Sequence, residues 1–209
     1  MKKKCVHIVG RPVHGDELCA ITVPRIEAYA RSIGADINVI GATRVFPDYP
    51  LTYERMQIYA TGRGYDWNVC IDADMLLGSG VADVTEVSAR DTVGAIMTYT
   101  ASQFFSVDNR FFLRNGRNVG IVQSLLVTSD WTHDLWEPLK GAAGAHLGAV
   151  ANIHQVAEYA IAYNLAKYGL KFAGALPPAQ RVVRVFADEK RGITATEMAL
   201  EHLKAWGEQ

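Results

Sequence analysis

Short apolar runs alternate with amphipathic segments along this chain, and the alternation predicts its secondary structure. Apolar runs that end at turn residues predict buried strands at residues 5–10, 37–40, 93–97, 118–128, 172–176 and 182–186, with a further strand in the run that begins at Trp67. Apolar residues that recur every three or four positions predict helices at residues 23–33, 53–59, 131–139, 152–168 and 194–206. Strands that alternate with helices are typical of an α/β fold with a mostly parallel central sheet flanked by helices.

Two local signals refine this pattern. Helical spacing of apolar residues already begins at Glu17, but proline is best tolerated in the first turn of a helix, so Pro24 places the start of the first helix near Val23. The stretch GAAGAHLG, residues 141–148, is rich in glycine and predicts a flexible loop.

Composition narrows the class of protein. The chain has 209 residues, of which 49% are hydrophobic and 21% charged, as in an ordinary globular protein with one full core. No repeat or linker marks a boundary, so we predict a single domain over residues 1–209. The net charge of −1 provides no field that would attract nucleic acid, and we predict no nucleic-acid partner.

Location and assembly are less constrained by the sequence. No apolar run reaches the roughly 18–20 residues of a membrane span, which predicts no transmembrane segment. The apolar stretch after the basic start is too short for the core of a signal peptide. Cys5, Cys19 and Cys70 lie in apolar segments without metal-site spacing, which is typical of buried reduced thiols, and we predict a cytoplasmic protein. The oligomeric state stays open, including a homo-oligomer.

Two carboxylates stand where the apolar run WNVCI ends. Asp72 and Asp74 are separated by one small residue, and side chains at positions i and i+2 of a strand point to the same face. In an open α/β sheet, ligands bind beyond the carboxyl ends of the strands. A hard divalent cation relieves the repulsion between two carboxylates, and Mg²⁺ or Mn²⁺ held in this way could neutralise a diphosphate leaving group. The alternative is a turn whose aspartates only cap the backbone.

The same segment carries a family resemblance. YERMQIYATGRGYDWNVCIDADMLL, residues 53–77, is similar to nucleotide-sugar glycosyltransferases of the GT-A fold, and among these to family 8, the glycogenin-like and galactosyltransferase-like retaining enzymes. RNVGIVQSLLVTS (117–129) and NIHQVAEYAIAYNLAKYGLKFAGAL (152–176) resemble two further family segments in the same order. The resemblance implies a GT-A-like fold and a metal-dependent hexosyl transfer, with Mn²⁺ or Mg²⁺ as cofactor. It also implies a nucleoside-diphosphate sugar, with a UDP-sugar expected, as donor, and an unknown acceptor.

The resemblance implies a role for each matching residue. Asp72 and Asp74 would bind the metal and the donor diphosphate, and Arg55 would meet the donor from its helix. Gln155 would lie near the transferring carbon, so that Gln155 and Asp74 are the implied catalytic residues. The other implied donor contacts, at strand ends and loops, are Val9, Gly10, Arg11, Asn118, Gly120 and Lys190.

Two family features are missing. Family 8 enzymes supply a third metal ligand as a histidine in a His-x-x-Gly-x-x-Lys-Pro-Trp context, whereas RVVRVFADEKRG, residues 181–192, contains no histidine. Asp188 is the candidate replacement as third metal ligand, and a solvated loop charge is the alternative reading of it. The family also has an acidic residue before its glutamine, but here His154 precedes Gln155.

Two rival functions stay open. One is a sugar nucleotidyltransferase, for which GRPVHGDE, residues 10–17, would be a poor version of the required glycine- and basic-rich loop. The other is a non-catalytic module that binds a nucleotide sugar on the same fold, because the histidine motif is missing. Of the other histidines, His7 is predicted to be a satisfied core residue, and His146 is a candidate to face the acceptor.

Overall fold

The computed structural model describes residues 2–10, 16–100, 121–150, 152–173 and 181–208. The strands in these ranges are β1 (Lys4–Val9), β2 (Asp36–Ile40), β3 (Trp67–Asp72), β4 (Met75–Leu77), β5 (Thr92–Thr100), β6 (Ile121–Ser129), β7 (Lys171–Ala173) and β8 (Val182–Arg184). The α-helices are α1 (Asp16–Ser32), α2 (Ile58–Thr61), α3 (Val84–Val87), α4 (Ala143–Leu147), α5 (Val156–Lys167) and α6 (Ala195–Ala205). Short 3₁₀-helices lie at Leu51–Gln57, Asp130–Trp136 and Ile153–Gln155. Each predicted strand and helix has a counterpart here, while residues 118–120 and 174–176 of two predicted strands lie outside the described residues.

The central sheet has the strand order β2-β1-β3-β6-β5-β7. β1 is parallel to both β2 and β3, and β5 is parallel to β7. β6 runs antiparallel between β3 and β5. The predicted α/β fold with a mostly parallel sheet is confirmed, with β6 as the exception. β4 and β8 form a separate antiparallel ribbon, which follows β3 after a two-residue turn.

The alternation of side chains along β3 separates two cores. Val69 and Ile71 belong to the core that packs under α1, whereas Cys70 belongs to the core on the other face of the sheet, with Ile161 of α5. Asp72 follows Cys70 by two positions and therefore points to the face that carries α5. Because side chains alternate between the two faces of a strand, the position of a carboxylate at the end of β3 determines which helices it can contact.

The first helix begins earlier than predicted. α1 extends from residue 16 through Pro24, so the prediction of a start near Val23 is wrong. Pro24 cannot donate a backbone hydrogen bond to the preceding turn, which costs helix stability. The apolar face of α1 compensates, because Val23 and Ile26 are buried against the sheet. Thr22 also ties this turn to the end of β3 by donating its hydroxyl hydrogen to the carbonyl oxygen of Ala73 at 2.5 Å.

The glycine-rich stretch 141–148 contains a short helix, so the prediction of a loop throughout is wrong in part. Its residues 143–147 form α4. Alanine has the highest helix propensity, and the propensity of the two alanines in α4 outweighs the cost of its single internal glycine. A hydrogen bond of 2.7 Å between the Tyr49 hydroxyl and Nδ1 of His146 holds α4 against the loop that precedes the Leu51–Gln57 helix.

Buried thiols behave as the sequence predicts. Cys5, Cys19 and Cys70 are all buried. Burial raises the pKa of the Cys70 thiol to about 12, so this thiol is protonated at neutral pH and is a poor nucleophile. Within the described ranges, no helix combines the length and the apolar character needed to cross a membrane.

His7 is a satisfied core histidine, as predicted. Its side chain is fully buried in β1. Nε2 lies 2.9 Å from Oδ1 of Asn68, and Nδ1 lies 3.0 Å from Nδ2 of Asn38, so a neutral ring satisfies both contacts. Burial lowers the pKa of His7 from 6.5 to about 4.

This burial predicts a pH-dependent stability. As the pH falls through 6.5, His7 takes up a proton in the unfolded chain but not in the folded one until about pH 4. The free energy of unfolding should therefore decrease by about 3 kcal/mol across this window because of His7 alone. Urea unfolding of the wild type and of His7→Gln, each measured between pH 7.5 and 4, isolates the contribution as a difference. Parallel pH profiles of the two proteins would contradict it.

Candidate active site

The ends of β1 and β3 meet at the carboxyl edge of the sheet. Val9 and Asp72 are register partners, and the amide of Ala73 donates a hydrogen bond of 2.8 Å to the carbonyl oxygen of Val9. Gly10 then turns the chain away with a φ of 85°, a conformation that favours glycine. The structure thus brings the predicted donor contacts Val9 and Gly10 beside the predicted metal-binding pair.

Arg55 approaches Asp72 from the Leu51–Gln57 helix. Both side chains are almost completely buried, and Nη2 of Arg55 donates a hydrogen bond of 3.0 Å to Oδ1 of Asp72. Nε of Arg55 also donates to the carbonyl oxygen of Thr52 at 3.1 Å, which fixes the direction of the guanidinium. Burial by itself lowers the pKa of Arg55, but the facing carboxylates, Asp72 first and then Glu158, raise it above its ordinary value. Arg55 is therefore a permanent buried cation at this edge.

Arg184 approaches Asp74 from the β4–β8 ribbon. Met75 and Arg184 are register partners, and the amide of Val185 donates a hydrogen bond of 3.0 Å to the carbonyl oxygen of Asp74. Nε of Arg184 donates to Oδ2 of Asp74 at 2.7 Å. The guanidinium lies 5.1 Å from the ring centroid of Phe186, at cation–π distance. The ribbon thus provides a second arginine for the second carboxylate.

The start of α5 adds a third carboxylate. Glu158 is buried, and its negative charge acts on both Arg55 and Asp72. Gln155 lies three residues earlier, where the Thr52 hydroxyl donates to the carbonyl oxygen of His154 at 3.2 Å and joins the two 3₁₀-helices. Among the described residues, Oε1 of Gln155 and Oε2 of Glu158 are buried polar atoms without a hydrogen-bond partner. A bound hydroxyl or amide group could satisfy both atoms.

Among the described residues, the cluster has three carboxylates and two guanidinium groups. Its carboxylates are Asp72, Asp74 and Glu158, and its cations are Arg55 and Arg184. Burial raises the pKa of the Asp72 carboxyl to about 7, against the opposing charge of Arg55. The negative charge of Asp74 adds to the rise. The excess negative charge favours the uptake of either a proton or a cation.

The chemistry of the donor set fits a divalent cation in part. Asp72 and Asp74 offer hard carboxylate oxygens of the kind that Mg²⁺ and Mn²⁺ prefer. Each arginine contact described above uses one oxygen of its carboxylate, Oδ1 of Asp72 and Oδ2 of Asp74. In the described part of the chain, no group of three or more histidine, cysteine, aspartate or glutamate side chains is arranged to hold a metal ion. A cation here would therefore depend on ligand oxygens, such as those of a diphosphate, to complete its coordination.

The other predicted residues lie around this cluster or outside the described residues. Asp188 forms an isolated β-bridge with Ile193, and its Oδ1 accepts a hydrogen bond of 3.2 Å from the amide of Arg191. Lys190 is exposed and lines, with Asp188 and Arg184, a cavity of about 460 Å³. The roles proposed for Asp188 and Lys190 stay predictions. The predicted donor contacts outside the described residues are Arg11, Asn118 and Gly120.

Sequence reasoning missed Glu158 and Arg184. Glu158 interrupts the apolar face of α5 next to the buried Ala157 and Ala160, and a charge at such a position was the available signal. Glu158 thus supplies an acidic group near Gln155, although the residue that directly precedes Gln155 is a histidine. Nothing in the sequence marks Arg184, because only the pairing of β4 with β8 brings it to Asp74.

No protein-family model and no curated protein matches this chain. Among solved structures, the chain is similar to a glycosyltransferase involved in glycosylation of the major capsid of PBCV-1, with 11% identity, a TM-score of 0.44, and coverage of 64% of this chain and 65% of the other. It is similar to galactosyltransferase LgtC in complex with donor and acceptor sugar analogues (12% identity, TM-score 0.48, coverage of 81% and 73%). It is also similar to a mutant of Drosophila β-1,4-galactosyltransferase 7 in complex with manganese, UDP-Gal and xylobiose (12% identity, TM-score 0.48, coverage of 92% and 74%). All three of these structures are of glycosyltransferases.

Proposed function

We propose that this chain is a metal-dependent glycosyltransferase that transfers a sugar from a nucleoside-diphosphate sugar, with a UDP-sugar as donor, to an acceptor that is not identified. One observation carries the proposal. Two buried aspartates stand at the carboxyl end of β3, and each is held by an arginine from a different element. A chain that needed only a turn at this point would have no reason to bury two carboxylates and pair each with a guanidinium group.

Different residues of the site would bind the metal ion and the diphosphate of the donor. Asp72 and Asp74 would hold Mn²⁺ or Mg²⁺, which, when bound, supplies positive charge to a departing diphosphate. Arg55 fixes the orientation of the Asp72 carboxylate through its hydrogen bond of 3.0 Å. Arg184 and Lys190 border the same cavity, together with Asp188 and Glu189, and Lys190 would contact the diphosphate from that side. Lys190 lies in an exposed turn, whereas Arg184 is already oriented by Asp74.

Gln155 would face the sugar that is transferred. Its carboxamide oxygen is buried and has no hydrogen-bond partner among the described residues. An unsatisfied buried polar atom costs about 1–3 kcal/mol, and a sugar hydroxyl that donates to it would remove that cost. The family 8 assignment and the retaining outcome of the reaction rest on the sequence resemblance and are part of this proposal.

A second candidate is a module that binds a nucleotide sugar without turnover. It is favoured by one observation, namely that both aspartates are already paired with arginines. Because the arginines already neutralise the two aspartates, such a site would not need a divalent metal at that point.

A single set of assays tests these functions. The protein is incubated with Mn²⁺ and, in turn, with UDP-, GDP- and CDP-sugars, and released nucleoside diphosphate is measured alongside binding by calorimetry. Release that depends on Mn²⁺ supports the glycosyltransferase, and binding without release supports the module. Pyrophosphate release from a nucleoside triphosphate and a sugar phosphate would instead indicate a nucleotidyltransferase. Absence of both binding and release for every nucleotide sugar would overturn the proposal.

A further inference from the structure

Glu158 is a buried carboxylate that the chain leaves without a hydrogen-bond donor. The residue is 7% exposed, and its Oε2 has no hydrogen-bond partner among the described residues. Burial of a charged group is unfavourable unless hydrogen bonds or a counter-ion compensate for the lost water. Buried polar atoms in folded proteins almost always have a partner, so an unpaired oxygen on a buried carboxylate points to a ligand that supplies the donor.

Glu158 does not cap its own helix. Gln155 is the N-cap of α5, so Glu158 is the third helical residue, from which a glutamate can accept a hydrogen bond from the N-cap amide. That amide donates instead to the carbonyl oxygen of Asn152 at 2.8 Å. A negative charge in the first turn also interacts favourably with the helix dipole, but an exposed glutamate would gain the same interaction, so the dipole does not explain the burial.

The unpaired oxygen of Glu158 lies at the candidate active site. The negative charge of Glu158 acts on both Arg55 and Asp72. Gln155 stands three residues earlier, on the same side of the helix, and its buried Oε1 is also unpaired among the described residues. The first turn of α5 therefore presents two acceptor oxygens beside the carboxylate that is proposed to bind the metal.

This turn lies close to the surface of the protein. Residues 152–154, which lead into α5, are exposed, and Gln155 is half-buried. Glu158 follows one turn deeper. A ligand that enters at the amino end of α5 would therefore meet Gln155 first and Glu158 behind it.

The chemistry of the two side chains restricts the ligand. In the part of the chain that the structure describes, no three acidic, histidine or cysteine side chains are arranged to hold a metal ion, so Glu158 does not complete a metal site with Asp72 and Asp74. Both unpaired atoms are acceptors, and the hydroxyl groups of a sugar are donors that suit them. A sugar that carries a carboxylate would bring a second negative charge to Glu158, and like charges repel strongly where water is excluded.

We propose that Glu158 and Gln155 select the sugar of the donor: a neutral hexose donates neighbouring hydroxyl groups to the two side chains, and a uronic acid is rejected by the charge of Glu158. The inference rests on the proposed function for the identity of the donor as a nucleotide sugar. The preference for one sugar over another is a property of binding, so it can be measured whether or not the sugar is transferred.

Calorimetry with the full chain in Mn²⁺ tests the proposal, with UDP, UDP-glucose, UDP-galactose and UDP-glucuronate as probes. The affinity for each UDP-sugar is divided by the affinity for UDP, which cancels any change in the binding of the metal or the diphosphate. The wild type should bind at least one of the neutral donors about tenfold more tightly than UDP-glucuronate.

Glu158→Gln keeps the size of the side chain and removes its charge. The relative affinity for the preferred neutral donor should fall about tenfold, because a neutral acceptor forms a weaker hydrogen bond than a charged one, and that for UDP-glucuronate should rise about tenfold. Glu158→Asp keeps the charge and should still reject UDP-glucuronate. Glu86→Gln is the matched control, because Glu86 also lies in the first turn of a helix but is exposed and pairs with Lys2, and it should leave every affinity unchanged.

The outcomes separate this inference from the proposed function. A reversal of the sugar preference in Glu158→Gln, but not in Glu158→Asp or Glu86→Gln, supports the sugar site even if no UDP is released, in which case the transferase proposal alone is wrong. Relative affinities that are the same in Glu158→Gln and the wild type overturn the sugar site, and Mn²⁺-dependent release of UDP would then still support the transferase. A wild type that binds UDP as tightly as every UDP-sugar also overturns it. A wild type that binds none of the probes overturns both.

Discussion

Replacement of Asp74 by asparagine should lower Mn²⁺-dependent release of UDP from a UDP-sugar by about a hundredfold to a thousandfold. The change keeps the shape of the side chain and its place at the end of the β3–β4 turn, where the carbonyl oxygen of residue 74 accepts a hydrogen bond from Val185. It removes the negative charge that would help to hold the cation against the diphosphate. Steady-state rates of UDP release over a range of Mn²⁺ concentrations measure the effect.

Asp91→Asn is the matched control for this experiment. Asp91 is an exposed aspartate that precedes β5, at the amino edge of the sheet, and it pairs with Lys171. Its replacement should leave the rate unchanged. Asp188→Asn decides between the two interpretations of Asp188, because a metal ligand would reduce the rate as Asp74→Asn does and a loop charge would not. An Asp74→Asn variant with the wild-type rate would contradict the role assigned to this carboxylate.

Replacement of Arg55 by methionine should lower the free energy of unfolding by about 3–5 kcal/mol. The guanidinium is 2% exposed and neutralises Asp72, which is 4% exposed, so its loss leaves a buried carboxylate without its partner. The nearby charge of Glu158 adds to the repulsion. Urea unfolding of the variant at pH 7.5 measures the loss.

A second substitution tests the cause. If the cost comes from the orphaned carboxylate, Asp72→Asn combined with Arg55→Met should recover more than half of the lost stability. Arg31→Met is the control, because Arg31 is an exposed arginine paired with Glu27, and surface ion pairs contribute little. A double variant that is no more stable than Arg55→Met would show that Arg55 acts through Glu158 or through packing instead.

Local patterns were sufficient for the longer elements, but they did not predict β4 or α3, and the helices predicted at residues 53–59 and 131–139 are largely 3₁₀-helices. The apolar run that begins at Trp67 could only be a buried strand, and the apolar face of residues 152–168 could only be a helix that packs on the sheet. The predicted bounds of helices were wrong where local propensity and tertiary packing favour different structures. Pro24 lies inside α1 because burial of that helix outweighs one missing hydrogen bond, and alanines turn part of the 141–148 stretch into α4.

Part of the candidate site could be predicted from the sequence, and part of it could not. The sequence places Asp72 and Asp74 at a strand end, with Arg55 on the preceding helix, and all three meet in the structure. It did not reveal Arg184, which is 110 residues from Asp74 in the chain and reaches it through a pairing of two three-residue strands. Such short strands carry too few residues for their pairing to be predicted from periodicity.

By itself, the sequence determined the α/β alternation, the buried strand that ends in two carboxylates, and the resemblance to nucleotide-sugar transferases, because these depend on residues that are close together in the chain. Only the tertiary structure decided which cations neutralise those carboxylates and that Glu158 joins them. Electrostatic and aromatic contacts act over a few ångströms in space, and neighbours at that range come from segments far apart in the chain, so the fold must be known before they can be assigned.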